Sequence, residues 1–356
     1  MYDDPAVIEL GRKLLTTRGV QWVYGNGGDP YSLLLRDEGA DPHSLYEQVR
    51  ERGPLHRSRA GAWVTADYVL ASQVLADPRL DTRRPDGASV RGHVLEVADA
   101  GLGRSRAEYA DLAGAIPARP PAEEVVRELL DTLGSTFDLV TDFARPLARR
   151  AVAETLEIPA ARRESFGQLC AGLDIALDSA LCPPRLADAV ALVASASRTQ
   201  ELGMGLPEVL LMSVGAPTAA NLIANALRGN TSVAETRRAD PPVRIHSRIA
   251  RSDLDLAGHS IESGSQVVVL VGAAHRDPAA KASVDAPVGS PNAVVADWVD
   301  AVAEAGLRAL AERMPQLCWS GPPVRRPRSP VTRALLHAPV AVTPTRAEPG
   351  EIPCAS

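Results

Sequence analysis

Two short runs decide how this chain reads: Glu235-Thr236-Arg237-Arg238-Ala239-Asp240-Pro241-Pro242 and, further on, Ala273-Ala274-His275-Arg276-Asp277-Pro278. In the first, Glu235 and Arg238 stand three apart, on one helix face, where a bidentate carboxylate–guanidinium pair can form. Between the runs, residues 243–271 switch to period two. Asp253-Leu254-Asp255-Leu256, Gly258, Ile261, Ser263-Gly264 and Gln266–Val271 read as a small antiparallel meander. Upstream, at about 206–228, Leu210, Leu211, Val214, Ala220, Leu222, Ile223 and Leu227 make a helix that is apolar nearly all round and therefore buried. Pro217 lies in its middle, removes one backbone hydrogen bond and predicts a kink. Downstream, Val295, Val299, Val302, Gly306 and Leu310 form one stripe of a helix over about 295–313, stopped by Pro315.

Outward from this centre helices dominate. The spacing predicts helices over 122–134, 138–157, 161–179 and 184–202, with residues 79–120 irregular. Nearer the N-terminus, residues 6–18 are amphipathic and Arg18-Gly19 reads as a stop signal. Residues 42–52 and 69–75 read as short helices and Ala62–Thr65 as a strand. Gly25-Asn26-Gly27-Gly28 has the look of a phosphate loop, but no strong strand precedes it and no lysine follows. It reads as a turn, with Asp29 capping a helix that has Pro30 at its first position. Val340–Thr343 ends the ordered part as a strand. The expectation is one domain over 1–343 and a disordered tail over 344–356.

Composition narrows the class. With 356 residues the chain can bury a large core, and with aromatics at 4% that core must be built from Ala, Leu and Val. A net charge of −6 argues against nucleic acid as partner. Cys170, Cys182, Cys318 and Cys354 are widely spaced without a Cys-x-x-Cys pair, which suits a reducing cytoplasm and not a zinc site. The first residues show no signal peptide, and the longest apolar run, Val267–Ala274, is too short to span a bilayer.

The order and spacing of the motifs resemble the late core of a bacterial cytochrome P450. Glu235 and Arg238 match its Glu-x-x-Arg pair, Gly215-Ala216-Pro217-Thr218 its long-helix segment, and His275-Arg276-Asp277-Pro278 its Asn-Arg-Asp-Pro turn. Arg248 falls where the family places a haem-propionate arginine. The resemblance implies a mainly α fold with small β-sheets (α+β), cytochrome P450-like but lacking the haem-binding loop. A P450 needs a cysteine thiolate after that turn, because the axial ligand sets the iron chemistry. Here no cysteine lies between Cys182 and Cys318. The acid expected before Thr218 is Pro217, so Thr218 reads as a helix residue bonding its own backbone. No arginine lies between Arg276 and Arg308 to complete the Glu–Arg network, and Arg228-Gly229-Asn230 joins two helices that the family separates by another.

These losses, with the opening Trp22…Tyr24-Gly25…Gly28-Asp29-Pro30-Tyr31 and the closing Val324-Arg325-Arg326-Pro327-Arg328-Ser329-Pro330, resemble one subgroup. It comprises the haem-less, P450-like auxiliary proteins of antibiotic glycosyltransferases in erythromycin, tylosin, pikromycin and anthracycline pathways. The likeness is nearest to the erythromycin member that partners a desosaminyltransferase. The resemblance implies a cytoplasmic protein without cofactor, metal or catalytic residue, whose partner is a glycosyltransferase, with neither nucleic acid nor membrane. Glu235, Arg238, Gly215, Thr218, Arg248, Arg276, Asp277 and Pro278 are then structural positions. The seven histidines, among them His246 and His275, read as isolated surface or turn residues, and Arg325, Arg326 and Arg328 as an exposed basic loop. Two alternatives stay open: a monooxygenase with an unusual haem ligand, for which Cys318 would have to serve, and a nucleotide-sugar isomerase using the vacated pocket.

Overall fold

The computed structural model describes residues 4–38, 41–83 and 101–342. The expected tail at 344–356 and part of the irregular stretch, 84–100, lie outside the described residues.

Helices α1 (Pro5–Asn26), α2 (Pro30–Arg36) and α3 (Pro42–Glu51) open the chain. Asp4, Asp29 and Asp41 cap them, each with a proline in the first turn, where a missing N–H costs nothing. Strands β1 (His56–Arg57) and β2 (Trp63–Thr65), helix α4 (Tyr68–Ala76) and strand β3 (Leu80–Asp81) follow. The helical body contains α5 (Arg106–Ala110), α6 (Ala122–Thr132), strand β4 (Thr136–Asp138), a π-helical stretch (Leu139–Ala144), α7 (Arg145–Thr155), α8 (Arg163–Leu173), α9 (Ala176–Ser179) and α10 (Leu186–Glu201). The long helix is α11 (Leu206–Leu210), a second π stretch (Leu211–Gly215) and α12 (Ala216–Gly229) without a break. Then come α13 (Val233–Ala239), β5 (Ile245–Ala250), β6 (Leu254–Leu256), β7 (His259–Ile261), β8 (Gln266–Leu270) and α14 (Val271–Ala274). Helix α15 (Pro291–Arg313) and strands β9 (Leu317–Trp319), β10 (Val324–Arg325), β11 (Leu335–His337) and β12 (Pro339–Val342) end the described chain.

The fold is mainly α with small sheets, as the sequence implied. The largest sheet has the order β1-β2-β8-β5-β3, with β2 and β8 parallel and the other pairs antiparallel. Strand β8 sits in its middle and is buried on both faces. Val268 and Leu270 point into the main core, while Val267 and Val269 point into a second cluster with Leu70, Val74 and Leu80. The main core lies where α7, α12 and α15 meet, through Phe143, Leu147, Ile223, Val299 and Val302. Each such fully buried side chain is worth about 1.5–3 kcal/mol over leaving it in water.

Four local readings need correction. Helix α1 does not stop at Gly19. That residue faces open space, its helical cost of about 1 kcal/mol is tolerable, and Gln21 and Gly25 still have a surface to bury against. The helix ends at Gly27, followed by Gly28 at φ 81°. Residues 243–271 are not a simple meander. Strand β5 pairs with β8, and β6–β7 is a separate hairpin inserted between them. Asp138, expected to open a helix, instead ends strand β4, because Pro339 of β12 pairs with it in register. The expected helix over 161–179 is broken at Asp174, whose carboxylate is held by Arg149 at 2.5 Å.

Candidate functional site

The family resemblance places a haem between the long-helix segment Gly215–Thr218 and the chain that follows Asp277-Pro278. That region is therefore the first place where chemistry would be sought.

Helix α12 ends with Asn230 in the left-handed region at φ 48°, and Ser232 caps α13 directly. The helix that looked deleted is absent from this connection. Glu235 and Arg238 do not form the expected buried pair. Glu235 is the third residue of a capping box: Ser232 Oγ accepts from Glu235 N, and the Ser232 N–H donates to Glu235 Oε2 at 3.0 Å. Both Glu235 and Arg238 are exposed, because the cap turns Glu235 back along the helix. The cation turned inward is the neighbouring Arg237, whose side chain is 12% exposed. Its Nη1 reaches Asp285 Oδ2 at 2.5 Å and its Nε reaches Asp300 Oδ1 of α15 at 2.6 Å. Burial works against the guanidinium, but the two carboxylates outweigh it and hold it charged. The missing third arginine has thus been answered by an aspartate, with the ion pair shifted one residue along α13. No motif pointed to Arg237. The signal that could have found it is Asp285, a lone acid in a stretch of Ala, Pro, Ser and Val.

The segment carrying Asp285 is pinned throughout. Asp277 accepts from the backbone N–H groups of Tyr68 and Ala279, tying the Arg276-Asp277-Pro278 turn to the start of α4. Tyr68 Oη accepts from Ala282 N. His275 Nε2 accepts from Val284 N at 2.9 Å, and His246 donates from Nε2 to the Asp285 carbonyl at 2.8 Å. These two histidines are buried, contrary to the surface expectation, because the segment folds over them. Burial, with Arg248 nearby, pushes His246 down to about 4, so it is a neutral donor at ordinary pH. Arg276 itself is exposed.

On the other side, Gly215 ends the π stretch and Pro217 enters just after it. The widened turn accommodates a ring that would otherwise crowd the carbonyl of residue 213. A Cβ on Gly215 would lie 3.5 Å from the indole of Trp298. That indole is anchored by Nε1 donating to Thr155 Oγ1 at 3.0 Å. Two turns along, Gly306 lets α15 close on α12 and α7: a Cβ there would be 2.8 Å from Leu147 and 3.3 Å from Ile223. Thr218 is buried, but its Oγ1 has no partner, so it does not bond its own backbone as expected. The π turn displaces the carbonyl that a regular helix would offer four residues back.

Could these residues hold a haem? The segment from Pro278 to Ser290 offers Asp285 and no thiol, and Asp285 is already committed to Arg237. Cys318 sits in β9 and its Sγ donates to the Ala341 carbonyl of β12. Cys170 and Cys182 are buried in the helical body, with burial pushing the Cys170 thiol up to about 12. Trp298 takes the space beside Gly215. Arg248 alone suits a carboxylate-bearing cofactor: it is 1% exposed, and its Nε and Nη2 have no partner. Burial and the nearby Arg106 lower it to about 10. An isolated propionate partner does not make a haem site. The described residues do not fit a thiolate-held haem. Among them there is also no His/Cys/Asp/Glu group that could hold a metal ion.

Two further expectations fall on the outer surface. Arg325 donates to the Arg333 carbonyl and Arg326 to the Asp174 carbonyl, so these two are internal braces and not an exposed basic loop. One described helix, Leu206–Gly229, is long and apolar enough to cross a membrane, and 94% of its apolar window is buried inside the protein.

The chain matches no protein-family model. It is 37% identical to the protein AknT of Streptomyces galilaeus over 94% of this chain and 96% of that protein. It is 36% identical to TylM3 of Streptomyces fradiae, covering 93% of this chain and 92% of the relative. The cytochrome P450 family protein EryCII of Saccharopolyspora erythraea is 33% identical over 93% of this chain and 97% of its own length. Identity to AknT exceeds that to EryCII, so the likeness is not peculiar to the erythromycin member. Among solved structures, the chain superposes on the epothilone D-bound cytochrome P450epoK with a TM-score of 0.70 at 21% identity, covering 87% of this chain and 99% of that one. It superposes on P450BioI, solved with an acyl carrier protein, with a TM-score of 0.69 at 21% identity, covering 85% and 99%.

Proposed function

Because the chain belongs to the cytochrome P450 family, yet its residues do not suit a thiolate-held haem, we propose that it is a non-catalytic auxiliary protein. In this reading it binds, stabilises and allosterically activates a glycosyltransferase, in the cytoplasm and without a cofactor of its own. The partner transfers a dTDP-deoxy(amino)sugar to a macrolide or other polyketide aglycone. The observation that carries the reading is a segment before α15 that offers no thiol and whose one acid, Asp285, is locked to Arg237. A scaffold whose reaction centre is closed in this way acts through its surface. Activation then needs only a higher affinity for the partner's active state than for its inactive one, about 1.4 kcal/mol for each tenfold.

The other readings find less support. A monooxygenase would need Cys318 free, and that thiol is bonded in the β9–β12 pair. A sugar isomerase would need an acid–base pair at the vacated region. Glu235 points to solvent as a helix cap, and His246 is neutral and bonded to a carbonyl.

The test is a titration of the purified protein into its glycosyltransferase, with dTDP-sugar and aglycone present. Product formation should rise and saturate at a fixed protein ratio, with co-elution of the two chains in size-exclusion chromatography. Absence of both would defeat the activator reading, and consumption of the dTDP-sugar by this protein alone would favour the isomerase.

A further inference from the structure

Helix α1 is the least buried long element of the molecule. Of its 22 residues only Leu14, Gln21 and Gly25 are buried. Beside that narrow seam Ile8, Leu15 and Trp22 recur every seven residues, and they are 49%, 71% and 49% exposed. Seven-residue spacing puts all three along one line of the helix, the pattern by which a second helix is received. Arg36 covers one face of Trp22, its guanidinium 5.0 Å from the ring centre, and leaves the rest of the line open.

Along the same side of α1 runs a groove of about 320 Å³. Leu15 and Arg18 form one wall, Pro183, Arg185 and Leu186 the other, with Arg328 between. Gln21 Nε2 ties the walls together by donating to the Leu181 carbonyl at 2.9 Å. The guanidinium groups of Arg18, Arg185 and Arg328 have no hydrogen-bond or ion-pair partner among the described residues. No carboxylate lines the groove. Arg328 is placed there at a cost. Its φ is 58°, a region that a residue with a side chain seldom occupies. Its neighbour Ser329 enforces that conformation: its N–H donates to Asp37 Oδ2 and its Oγ to the fully buried Asp178. Asp178 also accepts from Val331, Thr332 N and Thr332 Oγ1. Burial, together with the neighbouring Arg18 and Arg185, lowers the Arg328 pKa, although Asp188 opposes this.

An apolar line with seven-residue spacing, flanked by three unpaired arginines in a concave, pre-set groove, calls for a complement of helical form and negative charge. We infer that this groove and the exposed side of α1 receive an acidic amphipathic helix of the partner glycosyltransferase. The inference rests on the activator reading above and adds the contact surface to it. A bilayer is the poorer occupant, since a planar surface cannot follow arginines set inside a groove. A second copy of the chain would set the same three arginines against them.

The experiment uses two variants of the full chain, Leu15→Asp and the double charge reversal Arg18→Glu/Arg328→Glu, with Arg308→Glu on the α6–α15 face as control. Affinity for the proposed glycosyltransferase partner is read by titration, and folding by thermal melting. Leu15→Asp changes an exposed side chain and should melt like wild type while weakening binding about tenfold or more. The double reversal should weaken binding similarly and abolish its dependence on salt, and the control should bind normally. Wild-type affinity in Leu15→Asp and in the double variant would overturn the surface assignment and leave the activator reading standing. No binding by wild type would instead remove that reading, and this inference with it. Two other results would replace the proposed occupant: flotation of the wild-type protein, but not Leu15→Asp, with phosphatidylglycerol vesicles, or a wild-type dimer that Leu15→Asp converts to monomer.

Discussion

Two regions of this molecule carry strong charge, and they are organised in opposite ways. Around the segment between α14 and α15, the largely enclosed cation Arg237 is answered by Asp285 and Asp300, and both histidines are bonded. On α15, Trp298 packs on Gly215 and Gly306 lets the helix close on α7 and α12. On α1 and the groove beside it, three arginines stand without partners and large apolar side chains face water. Unmet polar and apolar groups are costly inside a protein and useful on its surface. The first region is therefore read as a repaired interior, and the second as the part of the scaffold kept for use. Changes in the first should cost stability and leave partner affinity alone, and changes in the second should do the reverse.

The largest loss of stability is expected for Arg237→Ala. It leaves the buried Asp285 and the part-exposed Asp300 without their cation; breaking a buried pair costs about 3–5 kcal/mol, and the exposure of Asp300 puts this loss at the lower end. Urea unfolding measures it directly, and a loss under about 1 kcal/mol would mean that the segment is not held as described.

Acid should open the same region by a comparable amount. His246, facing Arg248, Asp285 and His275, has a folded-state pKa of about 4 against 6.5 ordinarily. A depressed pKa contributes stability that is fully present above pH 6.5 and is lost as pH falls towards 4. The drop corresponds to about 3 kcal/mol. His246→Asn should lower stability at pH 7 yet flatten the decline between those two values. A decline of equal slope in both proteins would remove His246 from the account.

A smaller effect is expected where the helices close. Gly306→Ala gains about 1 kcal/mol of helix propensity but forces a methyl to within 2.8 Å of Leu147, an overpacking cost of about 1–3 kcal/mol. The net change should be destabilising by about 1 kcal/mol. Stabilisation would show that α12 and α15 have room between them. The smallest effect is expected for Glu235→Ala. Its carboxylate is exposed and serves only the cap of α13, so melting should shift far less than in Arg237→Ala. Equal shifts in the two variants would restore the buried Glu235–Arg238 pair.

The legible part of this chain was its periodic part. The apolar run of the long helix, the stripe on α15 and the Asp29-Pro30 helix start each follow from one local rule, and each holds. The site was legible as a loss, through the missing cysteine, but not as a repair. The Glu-x-x-Arg spacing pointed to residue 238, and only the three-dimensional meeting of α13, α15 and the Asp285 segment selects residue 237. Arg328 was grouped with Arg325 and Arg326 because they are adjacent in sequence. The buried Asp178 network turns the backbone between them, sending two inward and one to the groove. Likewise the exposed side of α1 could not be read from its composition, since Ile8, Leu15 and Trp22 look like core until the fold leaves them uncovered.

The most direct test of the central claim is the rate of glycosyl transfer by the partner when this protein has been produced without haem synthesis. The account predicts full activation by protein with no Soret absorbance, with Leu15→Asp needing about tenfold more protein for the same rate and Gly306→Ala active at temperatures where it remains folded. Activation that appears only after haem is added, with a Soret band at stoichiometric content, would contradict it.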